Sequence, residues 1–118
     1  MSLSKHQQTF TQNVAKLIFF ACGLGIELTM GEAYRTKEQQ EIYVRTGKSK
    51  TMNSNHLRRL AIDFNFFVNG KLTYDFDTVK PLGDYWESLH PANRWGGDFN
   101  QNDQEDGFVD TPHFEMNI

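Results

Sequence analysis

The sequence predicts a single α+β domain, a small antiparallel sheet flanked by helices. Hydrophobic periodicities follow one another as helix, strand, helix, hairpin, helix and strand, an order that fits this class. Asn69-Gly70, set between two apolar runs, is a strong hairpin signal and makes at least two strands antiparallel. The 118 residues fit one compact domain and leave no room for a second module. A domain of this size buries enough apolar surface to fold without disulfides.

Each element has a local cause. Met1-Ser2-Leu3 reads as an appended stretch outside the fold. Ser4 can cap a first helix running to about Ala21, with Gly23 and Gly25 ending it and Phe10, Val14, Leu17, Ile18 and Ala21 on one stripe. Residues 17–22 mimic a targeting signal after Lys16, but the apolar run is too short for a spanning helix or a signal core. The chain is therefore expected to be made in the cytoplasm without its own export signal and without stable membrane association. Residues 26–30 alternate as a half-buried strand. Thr36 and Gln39 have capping-box spacing at the start of a second helix that ends before Gly47. Residues 48–55 are polar, basic and loop-like. Residues 60–68 form an aromatic-rich strand, and the Asn69-Gly70 turn leads into a strand at 71–74. A third helix is expected over 78–90, with Pro81 in its first turn and Pro91 just beyond it. Residues 94–99 read as a strand or turn, 100–107 as an acidic loop, and 113–116 as the last strand.

Composition removes several functions. A net charge of −3 argues against nucleic acid, whose phosphates require a basic surface. Cys22 is the one cysteine, which excludes an intrachain disulfide and any multi-cysteine zinc site. A metal here must be held by histidines and carboxylates. The acidic stretch from Asp98 to Asp110 lacks the glycine and glutamate positions of an EF-hand loop, so it reads as a solvated loop. A monomer is expected.

Three candidate ligands stand out: His56, Asp63 and His113. A catalytic zinc site takes three such ligands and leaves a fourth position open. Taken singly, each has an ordinary structural reading. Asp110 adds weight, because it precedes His113 by three residues in Asp110-Thr-Pro-His113, and a zinc peptidase needs a carboxylate beside the attacking water. Pro112 stiffens the link between them. Arg35 is the candidate for stabilising an oxyanion, with a surface arginine as its alternative. Ser54 either bonds near the ligands or shapes a turn, and Glu115 either supports His113 or is a surface carboxylate. Trp95, beside Gly96 and Gly97, is either a substrate wall or a core residue. His90 at a helix end and His6 on an exposed face need no catalytic role. Arg45, Lys48, Lys50, Arg58 and Arg59 form a basic cluster, attractive to an anionic partner or simply solvated.

Ser54-Asn-His-Leu-Arg-Arg-Leu-Ala-Ile-Asp63 resembles the Ser-x-His-x-x-Gly-x-Ala-x-Asp motif of VanY/VanX-type zinc peptidases. Arg94-Trp-Gly-Gly-Asp-Phe99 and Asp110-Thr-Pro-His-Phe-Glu115 resemble that family's second ligand block, so the likeness spans about residues 26–115. The resemblance implies zinc on His56, Asp63 and His113, Asp110 as the acid/base, and Arg35 as the transition-state arginine. It also implies the small α+β fold shared with hedgehog signalling domains. The substrate it implies is bacterial peptidoglycan peptide, cut most simply by a phage or prophage endolysin at the L-Ala–D-Glu bond after release from the cytoplasm. A D-alanyl-D-alanine carboxypeptidase and a non-catalytic zinc-containing binding or phage structural module are the alternatives. Arg59 stands where the family has glycine, which predicts a changed loop there.

Overall fold

The computed structural model describes residues 2–102, 104–105, 107 and 109–118. Helix α1 (Leu3–Gly23) begins before Ser4, because Ser2 is the cap: its Oγ accepts the Lys5 N–H at 3.1 Å. Residues 2 and 3 thus belong to the fold. Gly23 is still helical, and the chain reverses at Gly25, whose φ is 76°. The N–H groups of Gly25 and Ile26 bond back to the Cys22 and Ala21 carbonyls, a Schellman ending. Phe10, Leu17 and Ala21 are buried along α1, and Val14 and Ile18 pack beside them, so residues 17–22 are part of a core helix. Among the described residues no helix is long and apolar enough to cross a membrane.

Strand β1 (Glu27–Met30) leads to α2 (Lys37–Arg45), where Thr36 Oγ1 accepts the Gln39 N–H at 3.1 Å. A 3-10 turn over Asn55–Arg58, unforeseen at the end of the polar loop, precedes β2 (Ala61–Val68). Asn69 and Gly70 both have positive φ, as the hairpin into β3 (Lys71–Thr73) requires. Helix α3 (Phe76–Leu89) starts earlier than its sequence signals indicate, because Asp75 Oδ2 accepts the Thr78 N–H at 3.0 Å. Pro81 consequently lies in the second turn of α3, not the first. Strand β4 (Asn93–Trp95), a 3-10 turn over Gly96–Asp98 and β5 (His113–Met116) complete the chain. Of the expected acidic loop, Asp103 and Asp106 lie outside the described residues, as does Phe108 just beyond it.

The strands form one antiparallel sheet in the order β1-β2-β5-β4, with β3 beside β2. This is the α+β class the sequence predicts. Alternation assigns the faces. Ile62, Phe64 and Phe66 of β2 and Phe114 and Met116 of β5 enter the core beneath α1 and α3, leaving Asp63, His113 and Glu115 on the opposite face. Trp95 is 0% exposed and lies between two glycines: a Cβ on Gly83 or Gly97 would come within 2.2 Å of its ring. Gly83 in mid-helix is therefore a packing requirement, whatever it costs in helix propensity.

Candidate active site

Pairing of β2 with β5 sets Asp63 directly opposite His113. The core enforces this register, since a slip of one residue would turn Phe64 and Phe114 out to solvent. His113 Nδ1 lies 3.1 Å from Asp63 Oδ1. His56 comes from the 3-10 turn, where Ser54 Oγ accepts its N–H at 3.2 Å, and its Nε2 lies 3.5 Å from Asp63 Oδ2. One ligand atom from each of the three lies within 4.8 Å of the others, and no other such group occurs among the described residues.

The second nitrogen of each imidazole is already occupied. His56 Nδ1–H donates to the Ala33 carbonyl at 2.8 Å, which leaves the Nε2 lone pair facing Asp63. His113 Nε2 donates to Glu115 Oε1 at 2.6 Å, and Asn55 Nδ2 holds the other Glu115 oxygen at 3.0 Å. This is the outer support that metal-ligating histidines carry. The donor set of two imidazoles and a carboxylate, with its orientation fixed from outside, fits zinc. Burial disfavours the His113 imidazolium, but hydrogen bonds to Asp63 and Glu115 outweigh it and push the pKa up to about 9. Burial likewise works to raise the Asp63 pKa, yet bonds from His113 and His56 hold it well below the usual carboxylate range.

Asp110 reaches the same cleft through a tight turn. Its N–H bonds to the Gly96 carbonyl at 2.8 Å, and its carbonyl accepts the His113 N–H at 3.1 Å. Gly96 permits this approach: a Cβ there would lie 2.3 Å from the Asp110 carbonyl oxygen and 2.9 Å from His113 Cβ. Burial raises the Asp110 pKa, the Asp63 charge adds to the rise, and His113, His56 and Arg35 oppose it. A carboxylate pushed in that direction is a stronger proton acceptor.

Arg35 is held on all sides. Its Nε donates to Glu32 Oε1 at 2.5 Å, a second nitrogen pairs with the same oxygen, and a third reaches Gln40 Oε1 at 2.7 Å and Ser54 Oγ at 3.3 Å. The Tyr43 ring lies beneath the guanidinium at 4.7 Å. The cleft encloses about 460 Å³, and Arg35, Tyr43, Asp110 and Phe99 line it together with His56, Asp63 and His113.

Every predicted site residue except Trp95 reaches this cleft. Ser54 does both things considered for it, shaping the turn and bonding to Arg35. Glu115 supports His113. The substrate-wall reading of Trp95 is corrected: it is a core residue that braces the site from behind, its Nε1 donating to the Thr111 carbonyl at 2.9 Å. The aromatic on the cleft is Phe99, 37% exposed, with its ring 5.9 Å from that of His113. His90 stands at the C-terminal end of α3, its Nδ1 accepting the Ala92 N–H at 3.0 Å from the turn that follows, and His6 is half-buried instead of exposed. Arg59 requires no changed loop, because it adopts the left-handed conformation itself, with φ 57° and ψ 37°. Its guanidinium lies 4.1 Å over the Tyr34 ring. Sequence reasoning missed Glu32, Gln40, Tyr43 and Phe99. No local pattern marks them, because they meet Arg35 and the cleft only after folding.

A family model described as phage L-alanyl-D-glutamate peptidase matches residues 2–117. An L-alanyl-D-glutamate peptidase of Listeria phage A118 is 39% identical over 106 residues, covering 86% of this chain and 34% of that protein. The chain thus spans about a third of the length of this curated relative. The L-Ala D-Glu endopeptidase ChiX of Serratia marcescens superposes with a TM-score of 0.67 at 20% identity, over 96% of this chain and 84% of its own. A zinc-bound variant of the D,D-pentapeptidase VanY from a VanB-type resistance cassette gives 0.56 at 18% identity, over 91% and 70%. These two share the fold.

Proposed function

Since the chain belongs to the phage L-alanyl-D-glutamate peptidase family, we propose that it is a zinc peptidase hydrolysing the L-alanyl–D-glutamate bond of bacterial peptidoglycan, as a phage or prophage endolysin does. The observation that carries this reading is the convergence of His56, Asp63 and His113 with both outward imidazole nitrogens occupied. Zinc, when bound by these side chains, supplies a Lewis acid that makes water acidic enough to attack a carbonyl at neutral pH. The Asp110 carboxylate takes a proton from the attacking water and returns it to the leaving nitrogen. The Arg35 guanidinium, pre-aligned by Glu32, Gln40 and Ser54, stabilises the charge developing on the carbonyl oxygen. Rigid mounting matters here, because a donor that needs no reorganisation contributes most to the transition state.

Digestion of purified peptidoglycan, with mass-spectrometric assignment of the new termini, tests the proposal. The expected product carries a new N-terminal glutamate. Release of free D-alanine would replace this reading with a carboxypeptidase, and an intact wall after incubation with the zinc-loaded protein would leave a binding module.

A further inference from the structure

The cleft carries two cations that the reaction does not use. Lys48 and Lys50 both line it, on the loop between α2 and the 3-10 turn. Neither has a carboxylate partner among the described residues. Their mounting distinguishes them from a freely solvated charge run. Ser49, between them, bonds through its N–H to the Tyr43 carbonyl at 3.0 Å, and its Oγ accepts from Gln40 Nε2 at 2.9 Å. The same Gln40 nitrogen reaches the Thr51 carbonyl at 2.6 Å, and Gln40 is 0% exposed. A buried side chain thus tethers the backbone that carries both lysines. It is the side chain that also aligns Arg35. Lys48 Nζ lies 5.6 Å from the centre of the Tyr43 ring, which carries Arg35 as well.

Charge gives the lysines a purpose. Asp63, Asp110 and Glu115 line the cleft, and the Arg35 charge is matched by Glu32. Even with a divalent ion bound, these groups leave the floor net negative, and an anionic peptide would be repelled without cations on the wall. The substrate class proposed above is such an anion. In an L-alanyl–D-glutamate unit the glutamate gives its nitrogen to the scissile bond and one carboxyl to the chain. Its other carboxyl remains free, a few bonds from the leaving nitrogen.

We propose that Lys48 and Lys50 bind this free carboxylate and make the cleft selective for peptides whose glutamate is unmodified over peptides in which that carboxyl is amidated. The inference rests on the L-alanyl–D-glutamate reading and adds to it the group that is recognised. An amide at this position has no charge and loses the charge-assisted bonds to both ammonium groups.

The test uses two synthetic stem peptides that differ only in a carboxylate or carboxamide at this position. Their binding to zinc-loaded Asp110→Asn protein is measured by calorimetry, with and without the added pair Lys48→Met and Lys50→Met. Both lysines are exposed, so the substitutions leave the core untouched. The acid peptide should bind roughly tenfold more tightly at low ionic strength, and salt should shrink the difference. The lysine variant should bind both peptides as the unsubstituted cleft binds the amide. The proposal is overturned by equal binding of the two peptides, by binding of neither, by a preference that survives in the lysine variant, or by a loss shared equally between acid and amide. Cleavage by the parent protein is followed in parallel. Peptides that bind but stay intact would refute the peptidase reading, while the affinities still decide the role of the lysines.

Discussion

Asp110 and His113 are three residues apart and are given different tasks by their surroundings. Burial and the nearby Asp63 raise the Asp110 pKa, which suits a proton acceptor, while His113 is fixed between Asp63 and Glu115 as the proposed zinc ligand needs to be. Asp110→Asn should retain zinc and lose turnover by roughly 10²–10⁴-fold, read from single-turnover assays and metal content on the same sample. Near-parental turnover would reassign the base. In the metal-free protein the His113 pKa is raised to about 9 from its ordinary 6.5. Its contribution to stability is therefore complete below the unfolded value and is lost as pH rises through about 9. Zinc must displace that proton, so binding near neutral pH should release close to one proton and tighten as pH rises towards the same value. Calorimetry in buffers of different ionisation enthalpy measures the release; binding without it would mean that His113 is not a ligand. Arg59 is the residue where sequence comparison misled. A non-glycine in the left-handed region costs roughly 1–2 kcal/mol, and the Tyr34 contact returns roughly 0.5–1 kcal/mol. Arg59→Gly should accordingly leave stability to denaturant unchanged or raise it slightly, and a clear loss would show that the guanidinium contact outweighs the strain.

Strand β2 shows how much of the site lies in an element rather than in a motif. Its alternation is readable in the sequence, and so is the placement of Asp63 on the face opposite Phe64. Its partner is not readable: nothing local says that β2 pairs with β5, a strand some fifty residues away, in the register that sets Asp63 against His113. The hairpin, the Thr36 cap and the last strand were legible because turn chemistry and capping are local. The start of α3 was misplaced because the Asp75 cap competes with the proline signal at Pro81, and the 3-10 turn that carries His56 has no periodicity to detect. The Glu32–Arg35–Gln40 network was hidden for the same reason as the β2–β5 register, since its members meet only after folding. Packing around Trp95 gives an element-scale prediction. Gly83→Ala would gain roughly 1 kcal/mol in helix propensity, but its Cβ would lie 2.2 Å from the Trp95 ring. The substitution should be net destabilising by roughly 1–2 kcal/mol, since overpacking a dense core outweighs propensity. Unchanged or increased stability in urea would mean that Trp95 can move aside.

At the scale of the whole molecule, the proposed metal centre would tie together pieces that the sheet alone does not. His56 comes from a turn, Asp63 from a central strand and His113 from the last strand. An ion that binds only this folded arrangement stabilises it by mass action, about 2.7 kcal/mol at a hundredfold excess over Kd. For a domain of this length that corresponds to a rise in Tm of roughly 10 °C, and a chelator should reverse it. Elemental analysis of the purified protein beside its His113→Ala variant decides whether the proposed zinc centre exists. About one zinc per chain in the parent, lost in the variant, is the predicted result. A parent that takes up no zinc even after incubation with it would rule out the proposed chemistry, because every later step depends on His56, Asp63 and His113 holding that ion.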